Sequence, residues 1–549
     1  MRNPLLLGAL LLFAGRLALS LIRTGPVLVA DETGYLANAR SIVGGVAGQL
    51  EIAPFYRGGY SLLIAPLAAL DSHPTLAYHL ILALNAALAA AVLPLLYLLL
   101  TRFAGVRAEV AIWAALAGAL YPALTALSQV TMSENALYPL VCLWLLALGG
   151  LLAAGAGRLQ LPWAAGFGAA TGALWAVHNR MVVAVVLALA ILVWLALRRR
   201  LAPAAVGLAM AAIAAFLVGT HFLDNFIVDH NYGGSAVNEL SERGDQLFRF
   251  AGLRTALANL IGQSWYLLVA TFGLAAAAAA DFLRRRRDGG GAGGAPPVLA
   301  GLLALTALLL PISAAAFPER TRPDMLIYGR YAEVAAPALI AFGVAALARA
   351  RPSRPPLWPL AGFVVLTGAV ALIRATASDP DAANRWNVSA LPFVTVQLGP
   401  AILIGAALVA AAGAWLLLRA AGSGPRALGS VAIALFLAVM AYGAWNPVRS
   451  SQRAVYPSGW TSPRSAAAGA PRIAYDLDHY DTIGLYATQW FLPDSHLVLF
   501  HGGREAPPAP YLISGSSWRR EHPGAEARAL WTDVGRDQVL WRLSEHHPR

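Results

Sequence analysis

The chain has 549 residues, of which 58% are hydrophobic and only 12% are charged, and its mean hydropathy is +0.61. A soluble domain carries roughly 25% charged residues, so this composition excludes an ordinary soluble enzyme, a disordered protein and a disulfide scaffold. The basic residues are all Arg, and they outnumber the acidic ones by 40 to 28. The Arg residues do not form a basic stripe interleaved with aromatic residues, so the sequence does not indicate nucleic-acid binding. The excess of basic residues is instead typical of the cytoplasmic loops of a membrane protein.

Long apolar runs predict a mainly α-helical, polytopic membrane bundle, because a helix needs about 20 apolar residues to cross the hydrocarbon core. The first run has no convincing cleavage site and is interpreted as a retained span. The only cysteine, Cys142, lies inside another run and allows no intrachain disulfide. The sequence predicts about thirteen spans by the length criterion: 4–22, 74–100, 109–127, 135–156, 161–177, 181–197, 203–220, 263–280, 297–316, 332–348, 357–375, 397–418 and 428–445.

The charges of the connecting loops predict the orientation of the bundle. Arg residues concentrate in alternate loops, as in 198–200 and 284–287, whereas the other loops mix both signs. Because cytoplasmic loops are enriched in basic residues, the N-terminus is predicted to be cytoplasmic, in an inner or plasma membrane. An odd number of spans then places the C-terminus outside. The Arg- and Gly-rich stretch 284–295 is predicted to be a flexible cytoplasmic linker.

The end of the chain has a different pattern and predicts a second domain. Short β-prone runs occupy 472–476, 496–500, 511–514 and 538–543, and a helical pattern covers 482–492. These elements predict a small α/β extracytoplasmic domain over residues 446–549, following a transmembrane domain over 1–445.

The first large outer loop contains the acidic pair Asp31-Glu32. Apolar residues at helical spacing follow it and predict a short interfacial helix over 32–44. Acidic residues at a helix N-terminus often only cap the helix and complement its dipole. A chemical role for the pair therefore depends on the motifs that accompany it.

Five motifs, taken in chain order, resemble the GT-C glycosyltransferases, above all the protein O-mannosyltransferases and the lipid A aminoarabinose transferases. Each motif alone is short. The resemblance depends on their order along the chain and on their predicted location on the same side of the membrane, and it covers most of the chain. The motifs are Asp31-Glu32-x-x-Tyr35 followed by Gly44-Gly45, Tyr56-Arg57 within 54–66, Ser133-Glu134-Asn135, Asp229-His230-Asn231, and Tyr328-Gly329-Arg330-Tyr331.

The resemblance implies an inverting transfer of a sugar from a polyprenyl-phosphate donor to an acceptor hydroxyl on the outer face. An attacking hydroxyl must lose its proton, which calls for a positioned carboxylate. The resemblance gives this role to Asp31, with Glu32 as its support or as an anchor for the acceptor. The acceptor itself, whether protein, lipid or glycan, is not specified by the sequence.

A departing lipid phosphate develops negative charge, which a planar guanidinium stabilises well. The outer Arg residues are therefore candidates for binding the donor, with Arg57 and Arg330 preferred. Snorkelling to lipid headgroups is the alternative, and it is our interpretation of Arg16, Arg23 and Arg40. The residues predicted to bind substrate are Tyr35, Tyr56, Arg57, Glu134, Arg180, His230, Arg330 and Tyr331, while Arg320 and Arg322 are further phosphate candidates.

Two of these residues have a structural alternative, and the metal requirement stays open. Glu134 also suits an N-cap, and His230 also suits a solvated loop. Some relatives place a metal-binding Glu before the basic residue of the second motif, where this chain has Tyr56, so the sequence neither requires nor excludes a divalent metal. The predicted partners are the donor, the acceptor and membrane lipids, nucleic acid is not among them, and the sequence does not specify the oligomeric state.

Two other functions fit the same composition. A transporter or flippase of lipid-linked sugars predicts charges in broken helices at mid-membrane. A non-catalytic scaffold for envelope assembly predicts that loss of Asp31 is tolerated. The candidate groups cluster at the outer ends of spans, which favours the enzyme.

Overall fold

The computed structural model describes most of the chain. The described residues are 4–27, 31–50, 53–70, 72–154, 160–234, 249–288, 296–316, 323–350, 358–375, 385–391, 400–443, 445–479, 485, 488–535 and 537–544. Arg320 and Arg322, and parts of the predicted linker 284–295 and of the predicted helix 482–492, lie outside them.

Apolar helices account for most of the described chain and confirm the predicted mainly α-helical membrane architecture. Proline begins several of them, as at Pro74, Pro203 and Pro297, where its missing N–H costs no hydrogen bond. The helices before the outer domain are Pro4–Ser20, Asp31–Ile42, Gly58–Ala68, Pro74–Phe103, Ala108–Ala119, Pro122–Leu127, Glu134–Ala153, Gln160–Val177, Val182–Leu197, Pro203–Asn231, Phe250–Ala270, Leu274–Arg287, Pro297–Ala315, Pro323–Leu326, Arg330–Glu333, Ala336–Ala350, Trp358–Ala375, Pro400–Ser423 and Pro425–Gly443.

Among the described residues, six helices are long and apolar enough to cross a membrane, or up to eight if each of two bent pairs forms one span. Shorter apolar helices of 10–17 residues accompany them, including the first, Pro4–Ser20. The protein is therefore a multi-pass membrane protein. The count of thirteen spans and the cytoplasmic N-terminus stay predictions.

One predicted span is wrong in its geometry. The run 263–280 was expected to be a continuous helix, but the chain turns by 97° between Phe250–Ala270 and Leu274–Arg287. Gly273 adopts a φ of +75° at this break, and Phe272 a φ of 50°. Both values lie in the left-handed region, which ends a right-handed helix. The apolar run therefore belongs to two helices of different direction.

The C-terminal part contains a five-stranded sheet, which confirms the predicted small α/β domain. Its strands are β1 Arg472–Asp476, β2 His496–Phe500, β3 Tyr511–Gly515, β4 Ala527–Asp533 and β5 Gln538–Leu543, in the order β2-β1-β3-β5-β4. β1 pairs in parallel with β2 and β3, whereas β5 is antiparallel to β3 and β4. Two short helices, Trp445–Val455 and Trp518–Glu521, accompany the sheet. Strand β4 was not predicted.

The C-terminal domain packs on the segment around the helix Asp31–Ile42. The guanidinium of Arg40 donates to the carbonyls of Gln489 and Trp490, at 3.2 and 2.9 Å, and lies 4.8 Å from the centroid of the Trp490 ring. The hydroxyl of Tyr456 donates to the carbonyl of Pro26. These contacts hold the sheet over the loop that leads to Asp31.

The interpretation of three Arg residues as snorkelling to headgroups is wrong. Arg16, Arg23 and Arg40 are all at most 3% exposed. Arg16 donates to the carbonyl of Ala119 over 2.7 Å, joining the first helix to another part of the bundle. A buried guanidinium needs such acceptors, whereas a snorkelling one reaches water.

Candidate active site

The helix Asp31–Ile42 presents the acidic pair to the interior of the protein. Its second residue, Glu32, is fully buried and accepts three hydrogen bonds of 2.6–2.7 Å. The donors are the main-chain N–H groups of Val27 and Thr131 and the hydroxyl of Tyr78. Glu32 therefore fixes the start of the helix to two other segments, and its contacts are those of a structural anchor.

Asp31 differs from Glu32 because it keeps partial access to solvent, with 24% of its side chain exposed. Its Oδ1 accepts a hydrogen bond from the hydroxyl of Tyr56 at 3.0 Å, and its Oδ2 accepts one from Nη1 of Arg330 at 2.7 Å. The predicted base and a predicted phosphate ligand are thus in direct contact.

Arg330 also joins Asp31 to a second buried acid. Its Nε lies 3.3 Å from Oε1 of Glu134, and the same oxygen accepts a 3.0 Å hydrogen bond from Nη1 of Arg180. Glu134 is fully buried at the first turn of its helix, so its carboxylate orients two guanidiniums there. Four predicted site residues, including Asp31, therefore form one chain of charges.

Arg180 has spare hydrogen-bonding capacity inside the protein. Arg180 is only 3% exposed, yet its Nε and Nη2 have no hydrogen-bond partner among the described residues. The ring of Tyr331 lies 4.6 Å from the guanidinium and 5.6 Å from the ring of His178. Two free guanidinium nitrogens in fixed positions are suited to an oxyanion such as a phosphate.

His178 contacts the main chain of Arg180. Its Nδ1 accepts the main-chain N–H of Arg180 at 3.2 Å, so this nitrogen carries no proton. Burial, assisted by the charge of Arg180, lowers the pKa of His178 well below its usual value. The imidazole is therefore neutral at pH 7 and acts as an acceptor.

Tyrosines form one wall beside Asp31. The ring of Tyr35 lies 5.2 Å from that of Tyr56 and 5.3 Å from that of Tyr60. Burial and the carboxylate of Asp31 raise the pKa of Tyr56 well above its usual value, so its phenol stays protonated and donates. A Cβ on Gly34 would lie 2.1 Å from the Tyr56 ring, so only glycine allows this ring to approach Asp31.

Arg57 lies in the same region but has its own partners. Its Nε donates to Asn179, its Nη1 donates to the carbonyl of Trp175 at 3.2 Å, and its Nε is 3.8 Å from Asp224. The guanidinium also stacks over the Trp175 ring, at 3.7 Å from its centroid. These contacts hold Arg57 beside Asn179, which directly precedes Arg180. The side chain of Arg57 is 13% exposed.

His230 is not part of this cluster. It is exposed, its Nδ1 hydrogen-bonds to the carbonyl of Phe226, and its ring lies 3.9 Å from the Phe226 ring. The neighbouring Asn231 is buried instead, and its Oδ1 accepts from Ser41 and from the N–H of Gly48. In this motif, the asparagine connects the helix Pro203–Asn231 to the first outer loop.

Sequence reasoning missed several groups around Arg330. Asn387 donates to the buried Asp324 at 2.6 Å, its Oδ1 lies 3.4 Å from Nη1 of Arg330, and its carbonyl accepts the N–H of Gly329. Glu333, one helical turn after Arg330, is fully buried and accepts from the hydroxyl of Tyr266. Glu333 could have been found from the sequence, because it is an acid three residues after the Arg of a motif. No sequence pattern pointed to Asn387.

The described residues contain no group of three or more His, Cys, Asp or Glu side chains that could hold a metal ion. Asp31 and Glu134 both face Arg330, and a guanidinium excludes a cation from the space between them. The described part of the site therefore fits an anionic ligand better than a metal ion.

Comparison of the sequence with protein-family models gives no match, and comparison with curated proteins gives none either. Similar solved structures include two of ArnT from Cupriavidus metallidurans, one in the apo state and one bound to undecaprenyl phosphate. Each is 14% identical, with TM-scores of 0.53 and 0.54, and the alignments cover 98% of this chain and 96% and 97% of theirs. The chain has the membrane fold of these ArnT structures. Because nearly the full length aligns, the shared fold includes the C-terminal sheet.

Proposed function

We propose that this GT-C protein is an integral membrane glycosyltransferase that uses a polyprenyl-phosphate sugar and transfers the sugar to an acceptor hydroxyl outside the membrane, with inversion. The observation that carries the proposal is the contact of Asp31 with Arg330, which itself shares Glu134 with Arg180. One base and two guanidiniums are the groups that this transfer needs. The ArnT structure with bound undecaprenyl phosphate supports a lipid-linked donor.

The proposed reaction assigns a task to each charged group. Asp31 accepts the proton of the acceptor hydroxyl while its oxygen attacks the anomeric carbon. The bond from that carbon to the phosphate oxygen breaks, and the electron pair leaves with the lipid phosphate. Arg330 and the free N–H groups of Arg180 stabilise the added negative charge, and Arg57 holds the phosphate from the side of Trp175. Glu134 is a positioning residue, since it orients both Arg180 and Arg330.

In the structure described here, Arg330 also occupies one oxygen of the proposed base. When a phosphate binds, Arg330 gains a third anion besides Asp31 and Glu134, and its hydrogen bond to Asp31 is shared. That sharing frees Oδ2 of Asp31 for the acceptor, so the base becomes available only beside a bound donor. Without the donor, Asp31 stays paired with Arg330 and does not activate water.

The experiment is a transfer assay with purified protein, undecaprenyl phosphate carrying a radiolabelled pentose or hexose, and membranes as the source of acceptor. We expect label in a product without the carrier, and at least about 10²-fold less of it with Asp31→Asn. Recovery of all label on the intact carrier contradicts the proposal.

A transporter of lipid-linked sugars is the second candidate, because Arg330 lies in one of the two bent helix pairs and transporters use broken helices. The same purified protein in vesicles distinguishes the two functions. Movement of the labelled carrier across the bilayer without release of the carrier phosphate favours the transporter. Release of the carrier phosphate with the sugar on a new product favours the transferase.

A further inference from the structure

The short helical turn that carries Asn387 lies against the chain on both sides of Arg330. The carbonyl of Asn387 accepts the N–H of Gly329 at 2.8 Å, one residue before Arg330. The N–H of Ala390 donates to Oε1 of Glu333 at 3.3 Å, three residues after Arg330. Main-chain hydrogen bonds therefore fix this turn beside the arginine, and the position of Asn387 relative to Arg330 is set by the backbone.

The side chain of Asn387 connects Arg330 to a buried acid. Its Nδ2 donates a 2.6 Å hydrogen bond to Oδ2 of Asp324, and its Oδ1 lies 3.4 Å from Nη1 of Arg330. Asn387 is 4% exposed and Asp324 is fully buried. An ionised carboxylate accepts hydrogen bonds but cannot donate them, so Asp324 turns the NH₂ group of the amide towards itself. The amide oxygen then faces Arg330.

The neutrality of this amide matters because the charges around Arg330 already balance. Arg330 contacts the carboxylates of Asp31 and Glu134, and Glu134 also contacts Arg180. Two guanidiniums thus meet two carboxylates. A third carboxylate on Arg330 would give the group a net negative charge, which would repel a donor phosphate. Asn387 supplies an acceptor without charge, and the buried acid behind it contacts the other end of the amide.

One nitrogen of Arg330 has two acceptors of different strength. Nη1 is 2.7 Å from Oδ2 of Asp31 and 3.4 Å from Oδ1 of Asn387. Hydrogen bonds to charged acceptors are the shorter and stronger ones, so Asp31 is the main partner of Nη1. When a donor phosphate shares Arg330, Asn387 remains as an acceptor in a fixed position. The guanidinium can then stay in place while Asp31 is released.

We propose that Asn387 is a positioning residue of the transfer reaction, which holds Arg330 through an uncharged acceptor and so keeps its positive charge available to the phosphate of the lipid-linked donor. Asp324 acts through Asn387, whose amide it orients. The inference rests on the proposed function and deepens it, because it identifies what keeps the site selective for an anionic carrier.

The first experiment exchanges the two side chains in the double variant Asp324→Asn, Asn387→Asp. The exchange keeps one carboxylate in contact with one amide and leaves the net charge unchanged, but it moves the negative charge next to Arg330. We expect the Kd of the full-length protein in nanodiscs for undecaprenyl phosphate to rise about tenfold. The Kd for undecaprenol, the same isoprenoid without a phosphate, should not change, because no charge on the ligand is repelled.

The second experiment removes the acceptor without adding a charge. In Asn387→Leu the guanidinium of Arg330 loses its fixed neutral partner, so we expect turnover in the transfer assay to fall about tenfold through lost positioning. The Kd for undecaprenyl phosphate should stay within about threefold of the native value. The matched control is Ser389→Ala, which removes a buried 2.6 Å hydrogen bond to the carbonyl of Trp386 in the same turn. It should lower the unfolding temperature and leave turnover and both Kd values unchanged.

The contrary outcomes are distinct from one another. An unchanged Kd for undecaprenyl phosphate in the exchange variant overturns the inference, as does unchanged turnover in Asn387→Leu. An equal loss of affinity for undecaprenyl phosphate and undecaprenol, or an equal effect of Ser389→Ala, means that Asn387 is only structural, and it also overturns the inference. A native protein that binds undecaprenyl phosphate no better than undecaprenol contradicts the proposed function, and the inference with it.

Discussion

Arg330 donates a 2.7 Å hydrogen bond to Asp31, although 299 residues separate them in the chain. The contact joins the first outer loop to the bent helix pair that begins at residue 324. With Tyr56 on its other oxygen, Asp31 has both carboxylate oxygens engaged while its side chain keeps 24% exposure. An acid in this state is accessible to a ligand and is held in one orientation, which is what a general base requires.

Asp31→Asn tests the proposed base directly. The amide keeps the shape of the side chain but cannot accept a proton, and general-base catalysis contributes typically 10²–10⁴-fold to a rate. We expect turnover to fall by at least about 10²-fold, with the Kd for undecaprenyl phosphate within about threefold of the native value. The measurement combines transfer kinetics with carrier binding in nanodiscs. Near-normal turnover shows that another group removes the proton.

Glu134→Gln tests the buried carboxylate that Arg180 and Arg330 share. Removing its charge leaves two guanidiniums less compensated, and breaking a buried pair costs about 3–5 kcal/mol. We expect a marked fall in the unfolding temperature and weaker carrier binding. The control is Glu109→Gln, because the pair of Glu109 with Arg426 is 51% and 81% exposed and such pairs contribute at most about 1 kcal/mol. Equal effects of the two substitutions contradict the prediction.

Gly34→Ala tests whether the Tyr56 ring must lie against the acidic helix. The added Cβ would be 2.1 Å from the ring, so Tyr56 must move and its hydrogen bond to Asp31 breaks. We expect a loss of transfer activity greater than that of Tyr56→Phe, which loses only the hydroxyl. In the Tyr56→Ala background the clash is absent, so we expect Gly34→Ala to lower the unfolding temperature less there than it does in the native protein. An equal fall in both backgrounds means that Gly34 matters for another reason.

The sequence predicted the elements of this site better than their contacts. Local patterns placed Asp31, Glu134, Arg180 and Arg330 at the outer ends of helices, because hydropathy and short motifs are local properties. The ion pairs between them join residues up to 299 positions apart, and no local pattern determines which Arg meets which acid. In the motif of His230, the buried side chain is that of Asn231, whereas His230 is exposed, and the motif alone does not distinguish the two.

In the fold, too, local sequence patterns predicted the elements, whereas tertiary contacts determined their geometry. The hydropathy of 263–280 predicted one span, yet the positive φ of Gly273 redirects the chain within it. Strand β4 has no clear alternation of apolar and polar residues, and pairing with β5 stabilises it. Arg40 lies in a motif region that suggested the interface, but the carbonyls it binds come from the outer domain. Packing determined each of these outcomes.

His496→Gln tests the contact between the outer domain and the first outer loop through its pH dependence. Nε2 of His496 is 3.2 Å from the amide nitrogen of Gln49. Burial, together with the charge of Arg472, lowers the pKa of His496 below its usual value of 6.5. The folded protein thus binds a proton at this residue less readily than the unfolded chain does. Stability is full above pH 6.5 and is lost as the pH falls below this value towards the lowered pKa.

The measurement is the unfolding temperature of the native protein and of His496→Gln between about pH 8 and pH 5, a range that spans the ordinary titration of histidine. Glutamine keeps a hydrogen-bonding side chain but does not titrate, so the variant should lose less stability on acidification. Above pH 7 the two proteins should unfold at similar temperatures. Because every other titrating group is common to both proteins, the difference between the two curves reports His496 alone, and parallel curves across the whole range contradict the prediction.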